Sequence, residues 1–263
     1  MRVTTAQLPA QADEDRVLVT DRAVIMLDGA SADDPAMPAA REYVDTLGTE
    51  LHSRIEHHGD LRDILAEAIS ATADRLRLQA GVAPSSTVAL LRVSDDLAEI
   101  LTLGDSPVVV GRADNDFDIV TDTRLVDLHL PESRQYRSRL ASGTGYDETH
   151  HGLLRSLQRK QREHRNRDGG YWIAETEPDA AYRAVTASYP IESVRWVVLA
   201  TDGAASPLAP LKTSWPDIAK MDATGLRQLL KRGRHWEAAH DPDGQLQPRS
   251  KRHDDMTIAV AVP

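Results

Sequence analysis

Three aspartates in this 263-residue chain share one local context: each stands at the end of a strongly apolar run. Asp28 follows residues 23–27 and precedes Gly29; Asp202 follows residues 197–201 and precedes Gly203; Asp254 and Asp255 directly precede residues 256–262. A strand end holds a side chain on a rigid element at the rim of a core, and a following glycine lets a backbone carbonyl come close to a bound cation. Several such carboxylates converging make an oxygen-rich site suited to magnesium or manganese. Any one Asp-Gly is more often a turn dipeptide than a ligand pair. The joint pattern carries the reading, because it places acids where a hydrophobic core alone would not. The spacing leaves Asp254 and Asp255 as alternatives for the third ligand.

The rest of the chain narrows the chemistry. There is no cysteine, so thiolate metal sites and disulfides are excluded, leaving oxygen and imidazole donors. Of the ten histidines, His57-His58 and His150-His151 are adjacent pairs that cannot share a helix face. No His-Glu-x-x-His occurs. Most histidines read as exposed, and His253, beside Asp254, reads as an ordinary loop residue before it reads as a group orienting a metal-bound water. Gly-x-Ser-x-Gly, a phosphate-binding Gly-x-x-x-x-Gly-Lys loop and a dinucleotide fingerprint are all absent. Arg155, Arg159, Lys160, Arg162, Arg165 and Arg167 read as a solvated helix face, with a phosphate contact over the site as the sharper alternative. Trp172 and Trp196 read as core.

A net charge of −10 and an aromatic content of 4% argue against a nucleic-acid partner. The longest apolar runs are strand-length, which argues against a membrane span. The chain shows no signal-peptide pattern, and a cytoplasmic location is the expectation. The composition carries no reading of the oligomeric state.

The elements that must position the acids follow from periodicity. Residues 2–7, 16–20 and 23–27 read as strands, the last two an antiparallel pair turning at Asp21 and Arg22. Residues 36–80 carry apolar positions at helical spacing, interrupted at 57–60, which predicts two long helices. Strands are predicted again over 86–93, 97–103 and 107–111. Residues 131–168 are polar and helix-prone; 177–187 predict a short helix, 195–200 a buried strand, 224–239 a helix, 240–253 a mobile loop and 256–262 a last strand. Strands, paired helices, then more strands with short turns argue for α+β with antiparallel sheets under helices. No internal repeat is present.

In this order the pieces resemble the metal-dependent type 2C protein phosphatases. Asp13-Glu14-Asp15 is similar to that family's Asn-Glu-Asp segment, and residues 24–29 to its first Asp-Gly strand. Ser86-Thr87 and Leu103-Gly104-Asp105-Ser106 are similar to its Ser-Thr and Gly-Asp-Ser elements. Residues 197–203 resemble the second Asp-Gly strand, and Asp254-Asp255-Met256-Thr257 the closing Asp-Asn-x-Thr strand. The resemblance implies a four-layer α-β-β-α sandwich of two antiparallel sheets, one domain over residues 1–263, with a variable flap-like insertion at about 131–175. It implies two Mn2+ or Mg2+ ions, bridged by Asp28, with the Gly29 carbonyl on one and Asp202 and Asp254 on the other; alignment favours Asp254 over Asp255. Asp15 would hold metal-bound water, and Asp105 would help form a third, weaker site. The implied reaction is hydrolysis of phosphoserine or phosphothreonine in proteins, or of a related phosphate monoester, by a metal-activated bridging water.

The departures fall mostly on phosphate contacts. Residues 8–12 lack the family's arginine, Asp13 replaces the Asn, the stretch after Asp28-Gly29 reads Ala30-Ser31-Ala32, and Thr121-Asp122-Thr123-Arg124 stands for Thr-x-Asp-His. The second reading these leave is a catalytically weak or inactive domain serving as an interaction module.

Overall fold

The computed structural model describes residues 1–30, 38–113 and 116–263. Ten strands form two five-stranded antiparallel sheets. The first sheet has the order β2 (Asp15–Val19), β3 (Ala23–Ala30), β4 (Ser85–Val93), β5 (Leu97–Leu103), β8 (Val185–Pro190). The second has the order β1 (Arg2–Leu8), β10 (Met256–Val262), β9 (Trp196–Ala200), β6 (Val108–Gly111), β7 (Phe117–Val120).

The apolar runs are continuous because the central strands are covered on both faces. On β3, Ala23, Ile25 and Leu27 face the helices α1 (Ala40–Arg54) and α2 (Leu61–Leu76), meeting Tyr43, Leu47, Leu51, Leu65 and Ile69. The alternate residues Val24 and Met26 face the other sheet, meeting Val197, Leu199, Ala259 and Ala261. The outer face of that second sheet carries Val198, Ala200, Ile258 and Val260 against Leu226, Leu229 and Leu230 of α8 (Ala223–Ala239). Side chains alternating across each strand thus build three cores between four layers, helix, sheet, sheet and helix. The expected α-β-β-α sandwich is the observed one. Burial of a Leu or Ile side chain in these cores is worth about 1.5–3 kcal/mol each.

The remaining described helices are α3 (Arg124–Asp127), α4 (Pro131–Ala141), α5 (Glu148–His164), α6 (Asp202–Ala205) and α7 (Trp215–Ile218). α4 and α5 pack on each other through a small core of Tyr136, Leu140 and Leu157. Among the described residues no helix is long and apolar enough to cross a membrane.

Three expectations are corrected. The helix expected over 177–187 is a 3-10 turn at Pro178–Arg183 followed by β8. β8 is an edge strand whose exposed positions alternate, so half its pattern is polar and it lacks the apolar signature of an inner strand. Strand β7, four residues long and also at an edge, gave no periodic signal. Residues 240–253, expected to be mobile, are knitted by Asp241. Its carboxylate accepts the backbone N–H of Leu246 and Gln247 at 2.8 and 3.0 Å and pairs with Arg249 at 2.7 Å.

Candidate metal centre

Antiparallel pairing brings the acid-bearing strand ends to one end of the sandwich. Asp15 opens β2 and stands opposite Asp28 of β3, which in turn stands opposite Thr87 of β4. Asp105 follows β5, Asp202 follows β9 and Asp254 precedes β10. Asp28, Gly29, Asp105, Asp202 and Asp254 line one cavity of about 210 Å³. Asp15 does not line it; it lies behind, buried, in the wall of a second pocket with Asp255.

The glycines of the Asp-Gly pairs let the acid-bearing segments cross. A Cβ on Gly29 would fall 2.9 Å from the Glu14 Cβ, and one on Gly203 would fall 2.1 Å from the Asp255 carbonyl oxygen. No ordinary side chain fits at that approach. Asp255 is committed to structure: its carboxylate accepts the backbone N–H of Ala10 and, at 2.6 Å, that of Glu14. Asp254 is therefore the member of the pair that faces the cavity. Asp13 has φ +52°, the left-handed region that Asn and Asp tolerate best, and its carboxylate pairs with Arg41. Thr87 and Ser106 share a hydroxyl hydrogen bond of 2.7 Å that ties β4 to the turn carrying Asp105.

The electrostatics are those of a negative cluster short of counter-charge. Desolvation, and then repulsion from Asp255 and Asp254, push the Asp15 carboxyl up to about 7 against hydrogen bonds from Thr257 and Thr201. Asp28 is raised well above the carboxylate range by desolvation and by the charges of Asp15, Asp202, Asp254 and Asp105. Asp202 and Asp105 are raised in the same way. Both keep an exposed edge, so their desolvation comes from the depth of the cleft and not from full cover. Among the described residues Lys251 is the one basic residue lining the cavity, its Nζ 3.0 Å from Asp254 Oδ1. The depth of the cleft around this half-exposed side chain pulls the lysine down, but the charges of Asp254, Asp28 and Glu14 more than offset it and raise it.

Among the described residues no three or more His, Asp or Glu side chains stand close enough together to hold a metal ion as they are placed. The donor set nevertheless fits a hard divalent cation: all its ligands are oxygens, and a cation would relieve the repulsion among the carboxylates.

Several sequence readings meet the structure here. The basic stretch does not wall the acid cavity. Arg155 pairs with Glu148 at 2.8 Å, Lys160 with Glu163 at 2.9 Å, and Arg165 with Glu175 at 2.9 Å. From α5 it is the uncharged Gln158 that reaches the cavity. His253 turns away, its Nδ1 2.9 Å from Glu237 Oε2. His150 is fully buried, not exposed. Trp172 is half-buried, lines the cavity and carries the Arg183 guanidinium over its ring at 5.0 Å. Asp122, read from the sequence only as part of a departure from the family pattern, is a buried cavity residue paired with Arg124 at 2.5 Å, and sequence reasoning missed Lys251. Ser31 and Ala32, where the sequence departs from the family pattern, lie outside the described residues.

The profile of the protein phosphatase 2C family matches residues 10–234, ending before Asp254. Among curated proteins none matches the chain. The fold is similar to that of the serine/threonine phosphatase Stp1 from Staphylococcus aureus, with a TM-score of 0.60 and 13% identity, covering 99% of this chain and 94% of that one. It is similar to the Mycobacterium tuberculosis serine/threonine phosphatase PstP/Ppp, with a TM-score of 0.58 and 17% identity, covering 99% and 97%. The catalytic domain of the serine/threonine phosphatase PstP, solved in complex with two manganese ions, has a TM-score of 0.53 and 16% identity, covering 99% and 97%. At these identities the likeness is one of fold.

Proposed function

The chain belongs to the protein phosphatase 2C family, and on that premise we propose that it is a metal-dependent phosphatase acting on phosphoserine or phosphothreonine in proteins, or on a related phosphate monoester. One observation carries the reading. Asp28, Asp105, Asp202 and Asp254, from four separate stretches of chain, line one cavity with the Gly29 backbone.

Asp28, the Gly29 carbonyl, Asp202 and Asp254 would hold two Mn2+ or Mg2+ ions, and Asp105 a third, weaker one. Ions bound there supply Lewis-acid chemistry, neutralising charge on a transferring phosphoryl group and making a water more acidic. The chain itself supplies position. Thr201 fixes the Asp15 carboxylate with a 2.9 Å hydrogen bond, keeping it oriented behind Asp28. Tyr171, Trp172 and Ile173 wall one side of the cavity and narrow the access of bulk water. In this reading residues 1–263 act as one cytoplasmic domain, and 131–175 form a variable flap beside the site.

The test is hydrolysis of an aryl phosphate and of a phosphothreonine peptide, with manganese or with chelator, by the native protein and by Asp202→Ala. Turnover that needs the ion and disappears in the variant supports the reading. A folded protein that binds manganese and turns over neither substrate would sink it in favour of an interaction module.

A further inference from the structure

A phosphate monoester carries nearly two negative charges, and the walls that could receive it here are mostly neutral or acidic. A cleft of about 1360 Å³ opens beside the acid cavity and shares Asp105, Asp202, Lys251 and Asp254 with it. Its wall from residues 9–12 carries no charge, and the polar side chains that α5 presents are His151, Gln158 and Gln161. Three other arginines line the cleft and none lines the acid cavity: Arg234 donates to the Asp254 carbonyl at 2.5 Å, Arg137 lies over the Tyr136 ring at 5.8 Å and Arg252 over the Tyr146 ring at 5.7 Å. Lys251 is the basic residue common to cavity and cleft. Its ammonium gives one donor to Asp254 and has two more to offer. The side chain is 47% exposed, so those donors can face an incoming anion.

The placement of Lys251 is built into the fold. Just before it, the Ser250 carbonyl accepts the Nε2–H of the fully buried His150 at 2.9 Å. The His150 ring is packed edge-on against Tyr136 and Tyr146. Just after it, the Arg252 carbonyl accepts from Arg249 at 3.0 Å, and Arg249 is itself paired with Asp241. The backbone on both sides of the lysine is therefore fixed, by α5 on one side and by the Asp241 knot on the other.

We infer that Lys251 is a substrate-binding residue of this chain, its ammonium contacting the phosphate of the substrate from the loop before β10, and that His150 is the positioning residue that holds it there. The inference rests on the phosphatase reading above. A lysine serves phosphate as a point charge, without the bidentate geometry of arginine, so charge matters more than shape at this position.

The experiment uses the full chain loaded with manganese and inorganic phosphate as the probe, read as an inhibition constant and by calorimetry, for the native protein, Lys251→Met, Lys251→Arg and His150→Phe. Lys251→Met is expected to weaken phosphate binding and raise KM by about tenfold or more, the loss of one charge-assisted hydrogen bond, with kcat falling less. Lys251→Arg restores most of it. His150→Phe, which keeps a packed ring and removes the tie to Ser250, shows a smaller loss of the same kind. Phosphate binding unchanged in Lys251→Met overturns the inference. So does manganese binding that tightens in that variant while phosphate binding stays the same, since the lysine would then only compete with the cation. The phosphatase reading fails separately, on absence of turnover by the native protein, and calorimetry with phosphate still decides the role of Lys251 in that event. Native protein that binds manganese but no phosphate rejects it outright.

Discussion

Thr201 donates its hydroxyl hydrogen to Asp15 Oδ2 at 2.9 Å while its own Oγ1 accepts the Thr257 N–H at 3.0 Å. One buried side chain thus joins the end of β9 and the start of β10 to the first residue of β2, across the two sheets. Thr201→Val keeps the shape and removes both bonds, leaving a buried carboxyl and a buried N–H short of a partner. The expected cost is about 1–3 kcal/mol in urea unfolding, with weaker manganese binding. A loss within about 0.5 kcal/mol, typical of a neutral surface change, would show that the tie does not hold the sheets together.

Removing a charge from the cluster should separate stability from function. Asp28 is repelled by four neighbouring aspartates, so in the absence of cations Asp28→Asn relieves repulsion and raises the midpoint of thermal unfolding near neutral pH. The same change removes the carboxylate proposed to bridge the two ions, and manganese binding by calorimetry is expected to fall by about tenfold or more. A variant that melts lower than the native protein in chelator would show that the acids are not a strained cluster.

The pH dependence of the ion-free protein follows from the same shifts. Asp15 is raised from 3.8 to about 7, so between those values the folded state binds more protons than the unfolded one, and stability falls as pH rises through that window. Asp28 and Asp202 act in the same direction. With chelator the melting midpoint should drop from about pH 5 to about pH 8, and less steeply in Asp28→Asn. Because ligands bind cations deprotonated, the upward shift caused by manganese should be larger at about pH 8 than at about pH 5. Identical shifts at both values would count against cation binding by these acids.

How much was legible follows from how far apart the interacting residues lie. Asp28 and Asp202 stand out because an apolar run that ends in Asp-Gly is a local signal. Asp254 and Asp255 are not separable by spacing, since both precede β10; what distinguishes them is that Asp255 is spent on the N–H groups of Ala10 and Glu14, about 240 positions away. The Asp-Gly glycines were legible as close-approach positions, but the sequence could not show that protein backbone and side chain, not only a cation, make that approach. Lys251 is three residues from Asp254 and so was within reach of a local reading. Its anchor was not: His150 and Ser250 are 100 residues apart, and an adjacent His pair carries no mark of which member is buried. β8 was misread because an edge strand with alternating polar positions, entered from a proline-led turn, looks like the start of a helix.

Gly203 offers the sharpest test of how the site is assembled. A methyl group there would fall 2.1 Å from the Asp255 carbonyl oxygen and 3.2 Å from the Asp254 Cβ. The opposing backbone cannot retreat freely, because the Asp255 side chain is tied to the N–H groups of Ala10 and Glu14. Gly203→Ala must therefore push Asp254 away from Asp202 or break that tie. Either route is expected to cost about 1–3 kcal/mol or more, as overpacking does, and to weaken manganese binding. Gly152 provides the control. It lies in α5, where an added Cβ meets only the end of the Arg155 side chain at 4.0 Å, so Gly152→Ala should stabilise by about 0.5–1 kcal/mol through the lower entropy of the unfolded chain. Opposite signs for the two glycines would tie the loss to the crossing at Asp255. A Gly203→Ala protein with native stability and native manganese affinity would show that the two acid-bearing segments are not held by that contact.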